Sequence, residues 1–203
     1  DAEANRAAFT EKLSGLKNET DLIVLPETFN TGFSMASGKL AEPMDGATVN
    51  WMRSTAAELN AVVTGSLIIS ENDNYYNRCI WMRPDGTHDS YDKRHLFSIG
   101  GEGNHFTSGE SKTIVELKGW RISLQICYDL RFPVFARNRE DDRYDLLIYV
   151  ANWPEPRRYA WSQLLIARSI ENQCYVAGVN RVGVDGNGVN CVGDSAMHSP
   201  LGE

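Results

Sequence analysis

The chain has 203 residues, of which 42% are hydrophobic and 23% are charged, and its 20 Lys and Arg against 27 Asp and Glu give a net charge of −7. This length and composition fit one domain with a sizeable core and exclude an intrinsically disordered protein. The acidic balance argues against non-specific binding to nucleic acid or to an anionic membrane surface, and no apolar run approaches the roughly 20 residues of a membrane-spanning helix.

The first elements alternate between helix and strand. Phe9, Leu13 and Leu16 recur at helical spacing and predict an amphipathic helix. Residues 22–26, a short apolar run closed by proline, predict a strand buried on both faces. A second helical repeat over residues 48–59 leads into another buried strand at 61–69. This alternation indicates a largely covered α/β sheet.

The middle of the chain predicts two hairpins. In the first, strands 75–82 and 87–91 flank a Pro-Asp-Gly turn, and in the second, strands 112–117 and 120–127 flank Lys118-Gly119. A charged loop at 137–145 then precedes a buried strand at 145–150.

The last third predicts a helix at 159–171 and strands at 173–180 and 191–198. The glycine-rich residues 183–188 predict a tight turn, because neither the Lys-Ser/Thr pair nor the helix of a phosphate-binding loop follows them. No repeat, linker or change in composition divides the chain, so we expect residues 1–203 to belong to a single domain.

Reactive side chains follow three of the predicted strands. Glu27 follows the first strand, Lys93 follows the strand that ends at Tyr91, and Cys127 ends the strand that begins at Trp120. Strand ends hold loops rigidly beside a cleft, which favours a functional role. Taken alone, each residue is better explained by a structural role: a surface or helix N-terminal carboxylate for Glu27, a solvated lysine for Lys93 and a packed thiol for Cys127.

The segments around these residues carry a more specific signal. They are Leu-Pro-Glu-Thr-Phe-Asn-Thr-Gly-Phe (25–33), Tyr-Asp-Lys-Arg-His-Leu-Phe (91–97) and Ile-Cys-Tyr-Asp-Leu-Arg-Phe-Pro (126–133). In this order they resemble the signature segments of the nitrilase superfamily, the carbon–nitrogen hydrolases with a Glu-Lys-Cys triad. The resemblance continues through residues 149–154, 167–176, 180–183, 193–195 and 200–203, and the second and third segments look most like those of bacterial omega-amidases.

The resemblance implies a fold and a reaction. The fold is a four-layer α-β-β-α sandwich, usually completed by homodimerisation through helices. The reaction is hydrolysis of the terminal amide of a short 2-oxo dicarboxylate monoamide, such as 2-oxoglutaramate or 2-oxosuccinamate, with no metal or cofactor. The alternatives are an N-carbamoyl amidohydrolase, an aliphatic amidase or a nitrilase with the same triad, or a non-catalytic binding subunit with the same fold.

The resemblance also assigns roles that suit the chemistry of these side chains. Cys127 would attack the carbonyl carbon and form a thioester, and Glu27 would carry protons as general base and acid. Lys93 and the backbone N–H of Tyr128 would stabilise the oxyanion. Family members usually carry a second active-site Glu before an aromatic-x-x-Gly turn, which here favours Glu102 over Glu110 as the residue that positions Lys93 and the substrate. A simple loop carboxylate remains the alternative.

Other residues are candidates for contact with the substrate. Phe33, Tyr128 and Trp153 are expected to line the pocket, although aromatic residues after strands more often belong to the core. Arg131 and Arg157 are candidate anchors for a carboxylate, with a structural salt bridge the favoured role for Arg131.

The remaining polar residues suggest no metal site. The histidines at 88, 95, 105 and 198 lack metal-ligand spacing, and the four cysteines, Cys79, Cys127, Cys174 and Cys191, form no CxxC pair or disulfide framework. Buried thiols in a reducing, cytoplasmic setting are expected. Because family members usually begin with a strand before the first helix and continue beyond the Pro-Leu-Gly-Glu end, we also expect this chain to be truncated at both ends.

Overall fold

The structure is a computed structural model that describes residues 1–203. Its α-helices are α1 (Ala2–Leu13), α2 (Ser37–Leu40), α3 (Ala47–Leu59), α4 (Pro133–Ala136) and α5 (Arg158–Asn172). Its strands are β1 (Leu22–Val24), β2 (Val62–Glu71), β3 (Asn74–Met82), β4 (His88–Asp92), β5 (Ile114–Leu117), β6 (Trp120–Ile126), β7 (Leu146–Ala151), β8 (Tyr175–Asn180), β9 (Val182–Val184), β10 (Asn190–Val192) and β11 (Ala196–His198). None of the helices has the length and apolar character needed to cross a membrane.

The strands form two main sheets from separate parts of the chain. The first has the order β1-β2-β3-β4 and the second has the order β11-β8-β7-β6-β5. Strands β6, β7 and β8 run parallel, and β5 and β11 pair antiparallel at the edges. A separate hairpin consists of β9 and β10.

Alternating side chains of the strands divide the interior into three apolar clusters. On β7, Ile148 and Val150 face the cluster between the two sheets, whereas Leu147 and Tyr149 face α5. The first sheet packs its other face against α1 and α3 in a third cluster. Three buried interfaces between four layers confirm the α-β-β-α sandwich.

Helix α5 lies very close to the second sheet. Trp161 and Leu165 are fully buried against it, and Gly178 on β8 makes room for them. A Cβ atom at Gly178 would lie 2.4 Å from Cδ1 of Leu165, far inside van der Waals contact.

Most predicted elements are present, and their turns follow the expected chemistry. The Pro-Asp-Gly turn joins β3 to β4, with Gly86 at φ +83°, and the turn at Lys118 and Gly119 joins β5 to β6 with positive φ at both residues. Residues 183–188 contain the predicted tight turn, in which the Gly188 N–H donates to the Asp185 carbonyl at 3.1 Å.

Three predictions differ from the structure. The single strand predicted at 191–198 is wrong, because positive φ at Gly193 and Asp194 separates β10 from β11. Helix α1 ends at Leu13, so Leu16 lies beyond it, although Leu16 still packs against the first-sheet cluster. Strand β1 lies at an edge of its sheet and is buried mainly through its central Ile23.

Candidate active site

Glu27 lies just after β1, with only 1% of its surface exposed. Its Oε1 accepts hydrogen bonds from Lys93 Nζ at 3.0 Å and Asn77 Nδ2 at 2.8 Å. Its Oε2 accepts from the backbone N–H of Asn152 at 2.8 Å. This carboxylate is therefore fixed by groups from both sheets.

Lys93 directly follows β4 and is as deeply buried as Glu27. Its ammonium donates to Glu27 and also to Glu102, at 2.9 Å to Oε2 and 3.2 Å to Oε1. Burial alone would disfavour the charge, but the two carboxylates outweigh burial and raise the pKa of Lys93 above its usual value. Lys93 therefore stays protonated at neutral pH.

Glu102 opens a short 3₁₀ turn and is completely buried. Besides Lys93, it accepts from the backbone N–H of Phe97 at 2.5 Å and, at 3.4 Å, from Asn77 Nδ2. Glu110 by contrast is exposed and makes no ion pair. The geometry thus groups Glu102, and not Glu110, with Lys93, and the solvated loop carboxylate considered as an alternative does not describe it.

Cys127 sits at the sharp turn where β6 ends and a 3₁₀ helix (Cys127–Arg131) begins. Its φ of +45° is sparsely populated by residues with a Cβ atom, so the surrounding structure must hold it there. Burial and the negative charge of Glu27 raise the pKa of the thiol well above its ordinary value, and nearby Lys93 only partly opposes this. The thiol at rest is therefore protonated and needs a base to become a nucleophile.

The backbone N–H of Tyr128 lies beside this thiol. Tyr128 is the second residue of the 3₁₀ helix, where an N–H has no carbonyl of its own helix to bond. This N–H is therefore available as an anion donor next to Cys127.

These groups share one cavity of about 210 Å³. Glu27, Lys93 and Cys127 lie in its wall, and all three aromatic residues predicted to contact substrate line it as well, namely Phe33, Tyr128 and Trp153. The Phe33 ring centroid is 5.1 Å from Lys93 Nζ. Glu102 lies outside the lining and contacts two residues that belong to it, Lys93 and Phe97.

Two further cations lie in the cavity wall. Arg131 stacks over Trp153 and Arg157 stacks over Phe97, each with its guanidinium carbon 5.1 Å from the ring centroid. Neither arginine makes a salt bridge, so the structural ion pair favoured for Arg131 is wrong. Both guanidiniums are free to meet an anionic ligand.

Two asparagines at the site were not predicted from the sequence. Asn77 on β3 bonds to Glu27 and Glu102, while Asn152 after β7 bonds to the Glu27 carboxylate and, through Nδ2 at 2.6 Å, to the Glu27 carbonyl. For Asn77 the signal was a polar residue within a strand of buried residues. For Asn152 it was a position directly after a buried strand, as for Cys127.

The other three cysteines are buried thiols, as the sequence predicted. Cys79 packs between the sheets, and Cys174 packs under α5. Cys191 reaches the wall of the cavity. No three His, Cys, Asp or Glu side chains are grouped so that they could hold a metal ion.

Comparison with known proteins gives consistent results. The family model of the carbon-nitrogen hydrolases matches residues 1–203. The chain is 48% identical over its whole length to omega-amidase YafV of Escherichia coli, and the match covers 78% of that protein. It is 36% identical over 178 residues to 2-oxoglutaramate amidase of Bacillus subtilis, and that match covers 86% of this chain and 68% of the Bacillus protein. The crystal structure of XC1258 from Xanthomonas campestris, described as a CN-hydrolase superfamily protein with an arsenic adduct in the active site, superposes with a TM-score of 0.97 at 50% identity, covering 100% of this chain and 79% of that one.

Proposed function

The chain belongs to the carbon–nitrogen hydrolase family, and from this premise we propose that it is an omega-amidase that hydrolyses the terminal amide of 2-oxoglutaramate and similar 2-oxo dicarboxylate monoamides. The similarity to omega-amidase YafV and to 2-oxoglutaramate amidase supports the reaction. The observation that carries the mechanism is the position of a protonated thiol, Cys127, in one cavity with the buried Glu27–Lys93 pair.

In the first half of the reaction, Glu27 takes the thiol proton as Sγ of Cys127 bonds to the amide carbon. The carbonyl π electrons move to oxygen, where Lys93 Nζ and the Tyr128 N–H stabilise the negative charge. The intermediate collapses, the carbon–nitrogen bond breaks, and Glu27 returns its proton to the leaving nitrogen, which departs as ammonia. A thioester on Cys127 remains.

In the second half, a water molecule replaces the ammonia. Glu27 removes a proton from the water as its oxygen bonds to the thioester carbon, and the same two donors hold the oxyanion. The carbon–sulfur bond then breaks, Glu27 returns its proton to the thiolate, and the product leaves as the acid, which loses its remaining proton to solvent to give the dicarboxylate. Glu27 thus needs access to both the thiol and the water, and its position in the cavity wall suits this requirement.

The free carboxylate of the substrate needs a cation apart from Lys93. Arg131 and Arg157 supply the two other positive charges of the cavity wall, and neither is neutralised by an acidic partner. The aromatic rings of Phe33, Tyr128 and Trp153 enclose the carbon chain between the two ends. A dicarboxylate monoamide matches this combination better than a neutral aliphatic amide does.

The test is ammonia release from 2-oxoglutaramate, compared with an N-carbamoyl amino acid, a neutral aliphatic amide and a nitrile. We expect turnover of 2-oxoglutaramate and its loss in Cys127→Ala, with Cys174→Ala as a matched thiol control outside the cavity. Turnover of only a carbamoyl compound or a nitrile would overturn the substrate assignment, and an active Cys127→Ala variant would overturn the mechanism.

Assembly and location belong to the same proposal. Exposed apolar side chains on and near α5, including Val134, Tyr159 and Ile170, support a homodimer that forms through this face. Four free cysteines, one of them the nucleophile, support a reducing cytoplasmic location. We also propose that residues 1–203 belong to a single domain. Light scattering coupled to size-exclusion chromatography tests the dimer.

A further inference from the structure

We propose that Asp129 is a positioning residue that holds the two oxyanion donors, Lys93 Nζ and the Tyr128 N–H, in register with each other. Asp129 lies two residues after Cys127, and its carboxylate is completely buried. The inference rests on the proposed function in that Cys127 is taken as the nucleophile and Lys93 Nζ and the Tyr128 N–H as the oxyanion donors.

On one side, Asp129 is hydrogen-bonded to the segment that carries Lys93. Its Oδ1 accepts from the backbone N–H of His95 at 2.9 Å and from Nδ1 of the same residue at 2.8 Å, which requires the proton on Nδ1. Its Oδ2 accepts from the Tyr91 hydroxyl at 2.7 Å. Because Tyr91 and His95 lie two residues before and after Lys93, the carboxylate fixes the backbone on both sides of the lysine.

The His95 ring cannot easily leave this arrangement. It stacks on Phe132 with a centroid distance of 3.7 Å and an interplanar angle of 7°, and Phe135 lies against its edge. The contact between Asp129 and the Lys93 segment is therefore held by packing as well as by hydrogen bonds.

On the other side, Asp129 caps the turn that carries Cys127. Its Oδ2 accepts from the backbone N–H of Ile126 at 3.0 Å, at the start of the 3₁₀ helix. This bond spans Cys127, whose positive φ must be enforced by its surroundings, and Tyr128, whose N–H direction depends on the same turn. Loss of the cap would allow both to relax.

One carboxylate thus joins two loops that come from different sheets. All four of its partners are donors, so an amide cannot replace it without turning an NH₂ group toward a donor. Oxyanion donors are effective only when they are held in place before charge develops. Asp129 is therefore expected to act on the transition state more than on substrate binding.

The experiment compares Asp129→Asn with a matched control, Asp145→Asn. The Asp145 carboxylate also accepts from a backbone N–H, that of Arg121 at 2.8 Å, but at the opposite end of β6 from Cys127. Steady-state kinetics with 2-oxoglutaramate are combined with calorimetric binding of succinic semialdehyde. The Cys127 thiol adds to the carbonyl carbon of this aldehyde, and the thiol proton moves to the carbonyl oxygen. The resulting hemithioacetal places that oxygen in the oxyanion site and cannot turn over.

For Asp129→Asn we expect kcat to fall by about 100-fold, in line with the loss of an oxyanion donor, with KM within about threefold. The aldehyde should bind more weakly by a similar factor, while the control changes neither quantity. If only the thermal stability falls, and kcat and aldehyde affinity stay at wild-type levels, the inference is wrong and Asp129 is merely structural.

The test still decides if Asp129→Asn fails to fold or if the wild-type protein does not hydrolyse 2-oxoglutaramate. If Asp129→Asn does not fold, Tyr91→Phe removes a single donor while keeping the ring; a fall in kcat at constant KM then supports the inference, and an unchanged kcat overturns it. If the wild-type protein does not hydrolyse 2-oxoglutaramate, the proposed substrate fails, but aldehyde binding still decides the role of Asp129.

Discussion

Replacing Glu102 with glutamine tests whether the second buried carboxylate positions Lys93. The substitution keeps the shape of the side chain and removes its charge. Every neighbour of the carboxylate is a donor: Lys93 Nζ, the Phe97 N–H and Asn77 Nδ2. The amide NH₂ must therefore face at least one donor.

The distances indicate which side the amide takes. Oε2 holds the shorter bonds, to Phe97 at 2.5 Å and Lys93 at 2.9 Å, so the NH₂ group should replace Oε1, whose bonds are 3.2 and 3.4 Å long. A hydrogen bond to a charged group contributes about 1.5–3 kcal/mol. If the whole loss falls on the transition state, kcat/KM drops by about 10- to 150-fold, since about 1.4 kcal/mol is a factor of ten.

The assay is ammonia release over a range of 2-oxoglutaramate concentrations, with Glu110→Gln as the matched control. Glu110 is exposed, so its substitution should leave the kinetics unchanged. A second measurement is alkylation of Cys127 by iodoacetamide. Glu102 is one of the charges that raise the pKa of this thiol, so alkylation near pH 8 should be faster in Glu102→Gln than in the wild type.

Equal activity of Glu102→Gln and Glu110→Gln would refute this reasoning. It would mean that Glu27 alone suffices to hold the Lys93 ammonium.

Three further predictions concern stability and the position of Glu27. Burial raises the pKa of Cys79 to about 11 and that of Cys174 to about 12. The stability that each protonated thiol contributes is fully present below the unfolded pKa of about 8.5 and is lost as the pH rises toward the folded pKa. Urea titrations with reductant should therefore show a free energy of unfolding about 1.4 kcal/mol lower per thiol at pH 9.5 than at pH 7.5, and a free energy that does not change with pH would contradict this. Asn77→Ala removes a hydrogen-bond donor to Glu27, so it should lower the free energy of unfolding by about 1.5–3 kcal/mol and also reduce kcat. An unchanged kcat would show that Asn77 does not orient Glu27. Gly178→Ala forces a methyl group against α5 and should cost about 1–3 kcal/mol in urea unfolding, and a stability equal to that of the wild type would show that α5 can move away.

The sequence was sufficient to find the reactive groups of the site, but not the residues that hold them in place. Glu27, Lys93 and Cys127 each follow a strand within a distinctive local segment, so local pattern and resemblance identify them. Asn77 and Asn152 act on Glu27 across 50 and 125 residues of chain. Their role depends on how two sheets pack together, which no local pattern describes.

The same limit applies to the fold. The apolar runs predicted most strands, but they could not distinguish one covered sheet from two sheets packed face to face, and only the resemblance supplied the sandwich. The break between β10 and β11 escaped prediction because Asp194 adopts a positive φ inside an otherwise strand-like run. Its carboxylate binds Arg158 on α5, a contact made 36 residues away in sequence.

The division of the sheets along the chain has a consequence for the order in which reactivity arises during synthesis. Strands β1 to β4, with Glu27 and Asn77, leave the ribosome before β6, which Cys127 directly follows. The residues that surround Glu27 in the first sheet are therefore synthesised before Cys127, and the nucleophile acquires its base only when the two sheets pack together. The hydrolytic site is complete only after the two sheets have packed together, so the appearance of activity reports on that step.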